Sequence, residues 1–191
     1  MKHIMIASVF ATTLPGSLLA EVPQKTTDNL VQEARGLVKQ FGGSLKSALQ
    51  AAIKEGGLTN GIGVCKTIAP EIAAKTSDAH WSISRTSLKV RNPDNAASEW
   101  QKLQLEAMAR QPVKDGKPVE VWQVSEAKGE PGFKYMSAIP TQQMCLGCHG
   151  KNIAPEVQAK LDELYPEDQA TGFSEGDLRG AFVISWQQDR D

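Results

Sequence analysis

The residues with the clearest chemical potential are two cysteines and a histidine in the second half of the chain. Cys145, Cys148 and His149 form the pattern Cys-x-x-Cys-His, with Leu146 and Gly147 between the thiols. This pattern is the attachment sequence of c-type haem. Two thiols at this spacing can reach the two vinyl-derived positions on one porphyrin edge, and the following histidine can ligate the iron. The motif therefore predicts one covalently attached haem c, with thioethers at Cys145 and Cys148 and His149 on the iron.

Three other chemistries can use the same residues, and each fits the sequence less well. A thioredoxin-like redox pair opens a helix within a parallel βαβ unit, and the chain shows no such pattern. Structural zinc would need Cys145, Cys148 and His149 together with a distant fourth ligand, either Cys65 or His80. A simple disulfide between the two motif cysteines would leave the histidine beside them without a role.

The N-terminus has the order of a secretory signal. A basic start at Lys2 and His3 precedes the apolar run 4–11, a proline-glycine break at 15–16 and the small residue Ala20. The apolar run is shorter than the ~20 residues that a membrane span needs. We therefore predict that residues 1–20 are a signal peptide, and that the mature protein is periplasmic and has no membrane span.

The iron's second axial position is less constrained than its first. Its ligand sets much of the redox potential and decides between electron transfer and gas binding. The candidates are Cys65, His80, Met108, Met136 and Met144. Methionines are more often core residues than ligands, and Met144 adjoins the motif, so reaching the opposite face would be difficult for it. The residues alone therefore leave the choice among these five candidates open.

Length, composition and charge limit the class of protein. The chain has 191 residues, of which 40% are hydrophobic and 23% charged. A single domain commonly has ~100–200 residues, and we assign residues 21–191 to one domain. The net charge of -1 gives no electrostatic reason to expect nucleic acid or an anionic membrane surface as a partner.

The hydrophobic periodicity predicts helices first and strands afterwards. Apolar residues at three- and four-residue spacing predict a helix over 29–53, a stop at the glycines 56–57, and a second helix around Cys65 that kinks or restarts at Pro70. Together these form an N-terminal helical hairpin. Later segments predict a strand over 81–85, a helix capped by Asp94 or Asn95, an antiparallel strand pair, a helix over 155–164 and a last strand over 181–186. The predicted class is α+β.

Four segments together resemble a known family. They are VCKTIAP at 64–70, RTSLKVRNPDN at 85–95, CLGCHG at 145–150 and GDLRGA at 176–181. The chain resembles the single-haem, PAS-like family of bacterial c-type haem proteins, whose members occur alone and as extracytoplasmic sensor domains of histidine kinases and chemoreceptors. The resemblance implies a PAS-like antiparallel sheet flanked by helices, with haem held against it.

The resemblance also bears on individual residues. It implies that Cys65 is the iron ligand opposite His149, with an open site and His80 as the alternatives. Arg85 and Arg91 lie in a matching segment and are candidates to pair with the haem propionates, because the guanidinium fork suits carboxylates. The alternative for each arginine is a structural or surface ion pair.

These predictions favour two functions. The first is redox or gas sensing, in which a diatomic gas is a candidate ligand and a separate signalling partner is needed, because the chain carries no kinase or receptor domain. The alternative is a periplasmic electron-transfer cytochrome with a redox partner protein. No catalytic acid/base pair stands out in the sequence, so a haem enzyme ranks last.

Overall fold

The computed structural model describes residues 25–127 and 130–188. The predicted signal peptide, residues 1–20, lies outside these ranges. Within them, the helices and strands follow in the order α1 (Thr27–Thr76), β1 (Trp81–Thr86), α2 (Glu99–Arg110), β2 (Val113–Lys114), β3 (Lys117–Pro118), β4 (Glu120–Ala127), β5 (Glu130–Pro140), α3 (Leu146–His149), α4 (Pro155–Leu164) and β6 (Leu178–Gln187).

Helix α1 is a helical hairpin whose two arms meet at a pair of glycines. Gly56 and Gly57 have non-helical dihedrals, and Gly57 has φ 74° and ψ -171°, a conformation essentially restricted to glycine. Beyond this break the second arm folds back on the first, since the Asn60 side-chain amide donates to the Ala52 carbonyl at 3.0 Å. The predicted hairpin and its glycine break are confirmed.

Pro70 does not interrupt the second arm. The only non-helical dihedrals within α1 are those of Gly56 and Gly57, so the predicted restart at Pro70 is wrong. Proline removes one backbone hydrogen bond and crowds the preceding turn. Ala69 and Ile72, on either side of it, pack into the main hydrophobic core, and this burial holds the helix together through the proline.

The sheet is fully antiparallel and has the order β1-β6-β5-β4. Strands β4 and β5 form a hairpin, as the valine and aromatic alternation predicts. Strand β6 arrives last in the chain and inserts between β1 and β5. Helix α2 is capped by Ser98, which forms a reciprocal capping box with Gln101, rather than by the predicted Asp94 or Asn95.

Helices cover both faces of this sheet. The α1 hairpin packs on one face in the largest core cluster, which includes Phe41, Trp81 and Tyr135. Helix α2 packs on the other face through Leu105 and Met108, which contact the cluster that contains Met136. The α+β class and the PAS-like antiparallel sheet flanked by helices are therefore as predicted. Within the described ranges, no helix has both the length and the apolar character needed to cross a membrane.

A third cluster joins the α1 hairpin to the C-terminal half of the chain. Ile62 from the second arm packs with Val157 and Leu161 of α4 and with Tyr165, which follows α4. Leu58, next to the glycine break, and Cys148 of the motif pack against the same cluster. This cluster places the second arm of α1 beside the Cys-x-x-Cys-His segment.

Candidate functional site

The motif opens into a cavity between the α1 hairpin and the sheet. Its non-atom space is about 1140 Å³ when the solvent at its open mouth is included. The cavity brings together Cys65, Arg85, Arg91, Cys145, Cys148 and His149, all of the residues predicted for the site, although they come from distant parts of the chain.

His149 is held in one tautomer and one orientation. Its Nδ1 lies 2.6 Å from the Ala170 carbonyl oxygen, which can only accept, so Nδ1 carries the proton and Nε2 keeps its lone pair. Burial lowers the pKa of His149 to about 2, and the nearby Arg179 and Arg91 charges act in the same direction. A neutral imidazole with one nitrogen fixed by a carbonyl is the usual arrangement of a metal-ligating histidine.

The segment 168–173 clamps the motif from outside. The Gly172 N–H donates to the Gly150 carbonyl at 2.9 Å, and the Phe173 N–H donates to the His149 carbonyl at 3.0 Å. The Phe173 ring also stands edge-on to the imidazole, with the ring centroids 6.3 Å apart. The backbone around His149 is therefore fixed on both sides by a loop that is distant in sequence.

A buried ion pair secures this clamp. Arg91 and Asp168 lie 2.9 Å apart, and each side chain is only 8% exposed. Arg91 also donates to the Cys148 carbonyl at 2.5 Å, while Asp168 accepts the Ala170 N–H at 2.7 Å. Since the Ala170 carbonyl orients His149, the ion pair supports both the attachment loop and the histidine. Asp168 is missing from the sequence predictions, because it lies in a stretch without helical or strand periodicity.

Among the predicted second-face ligands, Cys65 is the best placed. It lines the cavity from the second arm of α1, and its thiol is free. Met144 also lines the cavity but directly precedes the motif. Met108 and Met136 are buried in the cluster between α2 and the sheet. His80 is exposed in the turn before β1 and is not a lining residue.

The zinc alternative gains no support from this geometry. In the part of the chain that the structure describes, no three or more His, Cys, Asp or Glu side chains converge as a metal site. Cys145 and Cys148 are free thiols that line the open cavity, where they are available for attachment. Burial raises the pKa of the Cys148 thiol.

A third arginine, which is also missing from the sequence predictions, lines the cavity. Arg179 enters from β6, and its Nη1 donates to Ser87 Oγ at 3.3 Å and to the Lys89 carbonyl at 3.4 Å. Its Nε is buried without a hydrogen-bond partner among the described residues. In the sequence, Arg179 lies within the matching segment GDLRGA at 176–181. That match indicated no particular role for the arginine.

The fold and the site together define a class: an α+β protein with a PAS-like sheet whose cavity is lined by a Cys-x-x-Cys-His motif and by a third cysteine, Cys65. A family model described as Tll0287-like matches residues 20–186. The chain therefore belongs to the Tll0287-like family, a single-haem PAS-like c-type haem family, which confirms the resemblance of the four segments.

Among solved structures, the fold is similar to the crystal structure of the cyanobacterial haem protein Tll0287. The two chains superpose with a TM-score of 0.62 and share 23% sequence identity, and the match covers 87% of this chain and 99% of the other. At this identity the likeness concerns the fold. No curated protein matches the chain.

Proposed function

We propose that this protein is an exported c-type haem protein that acts in redox or gas sensing. Cys145 and Cys148 would attach one haem through thioethers, and His149 and Cys65 would ligate its iron. The observation that carries the proposal is the shared cavity, in which the two free motif thiols, an oriented neutral imidazole and a third free thiol line the same space. Membership of a haem-protein family supports it.

The cavity suits a haem on two counts. Its donors are thiols and a neutral imidazole, which suit thioether attachment and iron ligation. Its wall carries arginines, one of which has a buried Nε without a partner in the described chain. The haem would supply a redox-active iron with an exchangeable axial position.

Sensing is favoured by how Cys65 is held. The cysteine lies on the second arm of α1, beyond the Gly56–57 break, and that arm packs mainly through apolar side chains. Near Cys65, the side-chain hydrogen bonds from this arm to other segments are those of Asn60 to the Ala52 carbonyl and of Lys66 to the Leu164 carbonyl, so a shift of the arm breaks few polar contacts. A thiol ligand can also be protonated, oxidised or displaced by a diatomic gas. We propose that a signalling partner protein receives the signal.

The first experiment tests attachment. The chain is expressed in a bacterium with a c-type haem assembly system, and the purified protein is extracted with acidified organic solvent. We expect the haem to stay with the protein, and to be lost from a C145A/C148A variant. Haem that passes into the organic phase from the wild-type protein would contradict thioether attachment. Periplasmic protein whose mass corresponds to a start at Glu21 would support export.

The second experiment tests the ligand and the function together. We expect Cys65→Ser to change the Soret band, whereas Met144→Leu and His80→Gln leave it unchanged. An unchanged spectrum in C65S would remove Cys65 as a ligand. Rapid uptake of carbon monoxide or nitric oxide by the reduced wild-type protein supports sensing. An inert six-coordinate spectrum with a stable potential would instead indicate electron transfer.

A further inference from the structure

The side chains that line the cavity have an unbalanced charge. Arg85, Arg91 and Arg179 line it, while no aspartate, glutamate or lysine of the described chain does so. Of the three arginines, Arg91 has a carboxylate partner in the described ranges, Asp168 at 2.9 Å. The cavity wall therefore carries two guanidinium charges without a compensating carboxylate.

Arg179 is held in place by weak neutral contacts. Its Nη1 reaches a hydroxyl and a carbonyl at 3.3 and 3.4 Å, and its guanidinium lies 5.4 Å from the centre of the Phe173 ring. Its buried Nε has no partner among the described residues, and a buried donor without an acceptor is costly. Burial and the charges of Arg91 and Arg85 lower the pKa of Arg179 to about 10.

Arg85 is positioned in a similar way from strand β1. Its guanidinium lies over the Phe41 ring at 5.8 Å, and no hydrogen bond to a carboxylate of the described chain compensates its charge. Burial lowers the pKa of Arg85 as well. Both side chains are thus placed at the cavity before any anion is bound, which reduces the entropy lost on binding.

We propose that Arg85 and Arg179 form an anion subsite that holds the two propionate carboxylates of the haem, while Arg91 supports the attachment loop. The inference rests on the proposed function. Each haem carries two propionates, which equals the number of uncompensated guanidinium groups in the wall. The planar guanidinium fork binds carboxylates through two parallel hydrogen bonds, and such a bond would supply the acceptor that Arg179 Nε lacks.

The test uses the holoprotein with ¹³C at the propionate carboxyls. Arg85→Gln and Arg179→Gln are compared with Arg110→Gln, which removes the same charge from the exposed end of α2. We expect each cavity variant to shift the infrared bands of the labelled carboxylates and to lower the one-electron reduction constant about tenfold, equivalent to about 59 mV. Loss of a positive charge beside the iron disfavours the reduced state. Arg179→Lys should restore most of the potential, and R110Q should change neither readout.

Several outcomes would overturn the subsite. Labelled bands that do not move in R85Q and R179Q exclude contact with the propionates. A wild-type potential that responds to added phosphate at constant ionic strength would indicate that the arginines hold a free anion from solution. If R179Q does not fold, Arg179→Met takes its place, because Met keeps the length of the side chain and removes the charge, and unmoved bands in R179M together with R85Q exclude the contact equally. Haem retention is measured first, so loss of the haem contradicts the proposed function, whereas retained haem with unmoved bands contradicts only this inference.

Discussion

The two walls of the cavity are held by different physical means. The motif wall, residues 145–150, is fixed by directional contacts: a buried ion pair, a carbonyl on the imidazole and backbone hydrogen bonds from 168–173. The hairpin wall, residues 58–66, is held mainly by apolar packing of Ile62 against α4, and also by hydrogen bonds from Asn60 to the Ala52 carbonyl and from Lys66 to the Leu164 carbonyl, each 3.0 Å long.

The difference matters because the two kinds of contact respond differently to movement. A hydrogen bond weakens steeply when its angle or length changes, whereas apolar packing is non-directional. The motif wall is therefore suited to hold His149 in one geometry, and the hairpin wall is suited to let Cys65 approach or withdraw. Under the proposed function, the exchangeable iron ligand would be Cys65, on the hairpin wall.

The largest effect is expected from breaking the ion pair of the motif wall. Asp168→Ala leaves the Arg91 charge buried and unpaired, which costs ~3–5 kcal/mol. Urea unfolding of the holoprotein measures this loss, and the spectrum should also change because His149 loses its support. Glu163→Gln, which breaks the exposed pair with Lys160, should cost less than ~1 kcal/mol. Equal losses in the two variants would show that the motif wall does not depend on this pair.

The next largest effect is expected from the hairpin wall. Ile62 is 2% exposed, so Ile62→Ala removes buried contacts and costs ~2–5 kcal/mol. Because the arm that carries Cys65 then packs more loosely, carbon monoxide should bind faster in stopped-flow measurements. Leu103→Ala, at a position 64% exposed, is the matched control and should change neither quantity. An I62A protein of lower stability but unchanged binding rate would show that the wall does not gate the iron.

The sequence predicted much of this arrangement, and what it missed has a common cause. Periodicity located the hairpin, the strand pair and the helix 155–164, and the local spacing of Cys145, Cys148 and His149 identified the motif. Asp168 and Ala170 could not be found in this way, because their role arises from a fold that brings an irregular loop against the motif. The predicted helix restart at Pro70 was wrong for a related reason, since tertiary packing outweighs a local helix breaker.

The glycine break between the arms allows a finer test of the hairpin wall. Gly57 has φ 74° and ψ -171°, so Gly57→Ala forces a side chain into a conformation that costs ~1–3 kcal/mol. Gly63→Ala is the matched control, because Gly63 lies within the same helix with open space beside it, and alanine should stabilise it by ~0.5–1 kcal/mol. The midpoints of thermal unfolding of the two variants are compared with that of the wild-type protein. Midpoints that shift in the same direction in both variants would contradict the backbone conformation assigned to Gly57.

The smallest effect concerns the turn that joins the second arm of α1 to β1. Asp78 accepts the N–H groups of Trp81 at 2.7 Å and His80 at 2.8 Å, and these bonds lower the pKa of Asp78 below 3.8. Its ionised form therefore adds stability above that pH, and the contribution is lost as the pH falls through the lowered pKa. Urea unfolding in acid should show this loss in the wild-type protein and a weaker one in Asp78→Asn, which retains an acceptor but no charge. Parallel acid profiles for the two proteins would show that the charge of Asp78 contributes nothing to this connection.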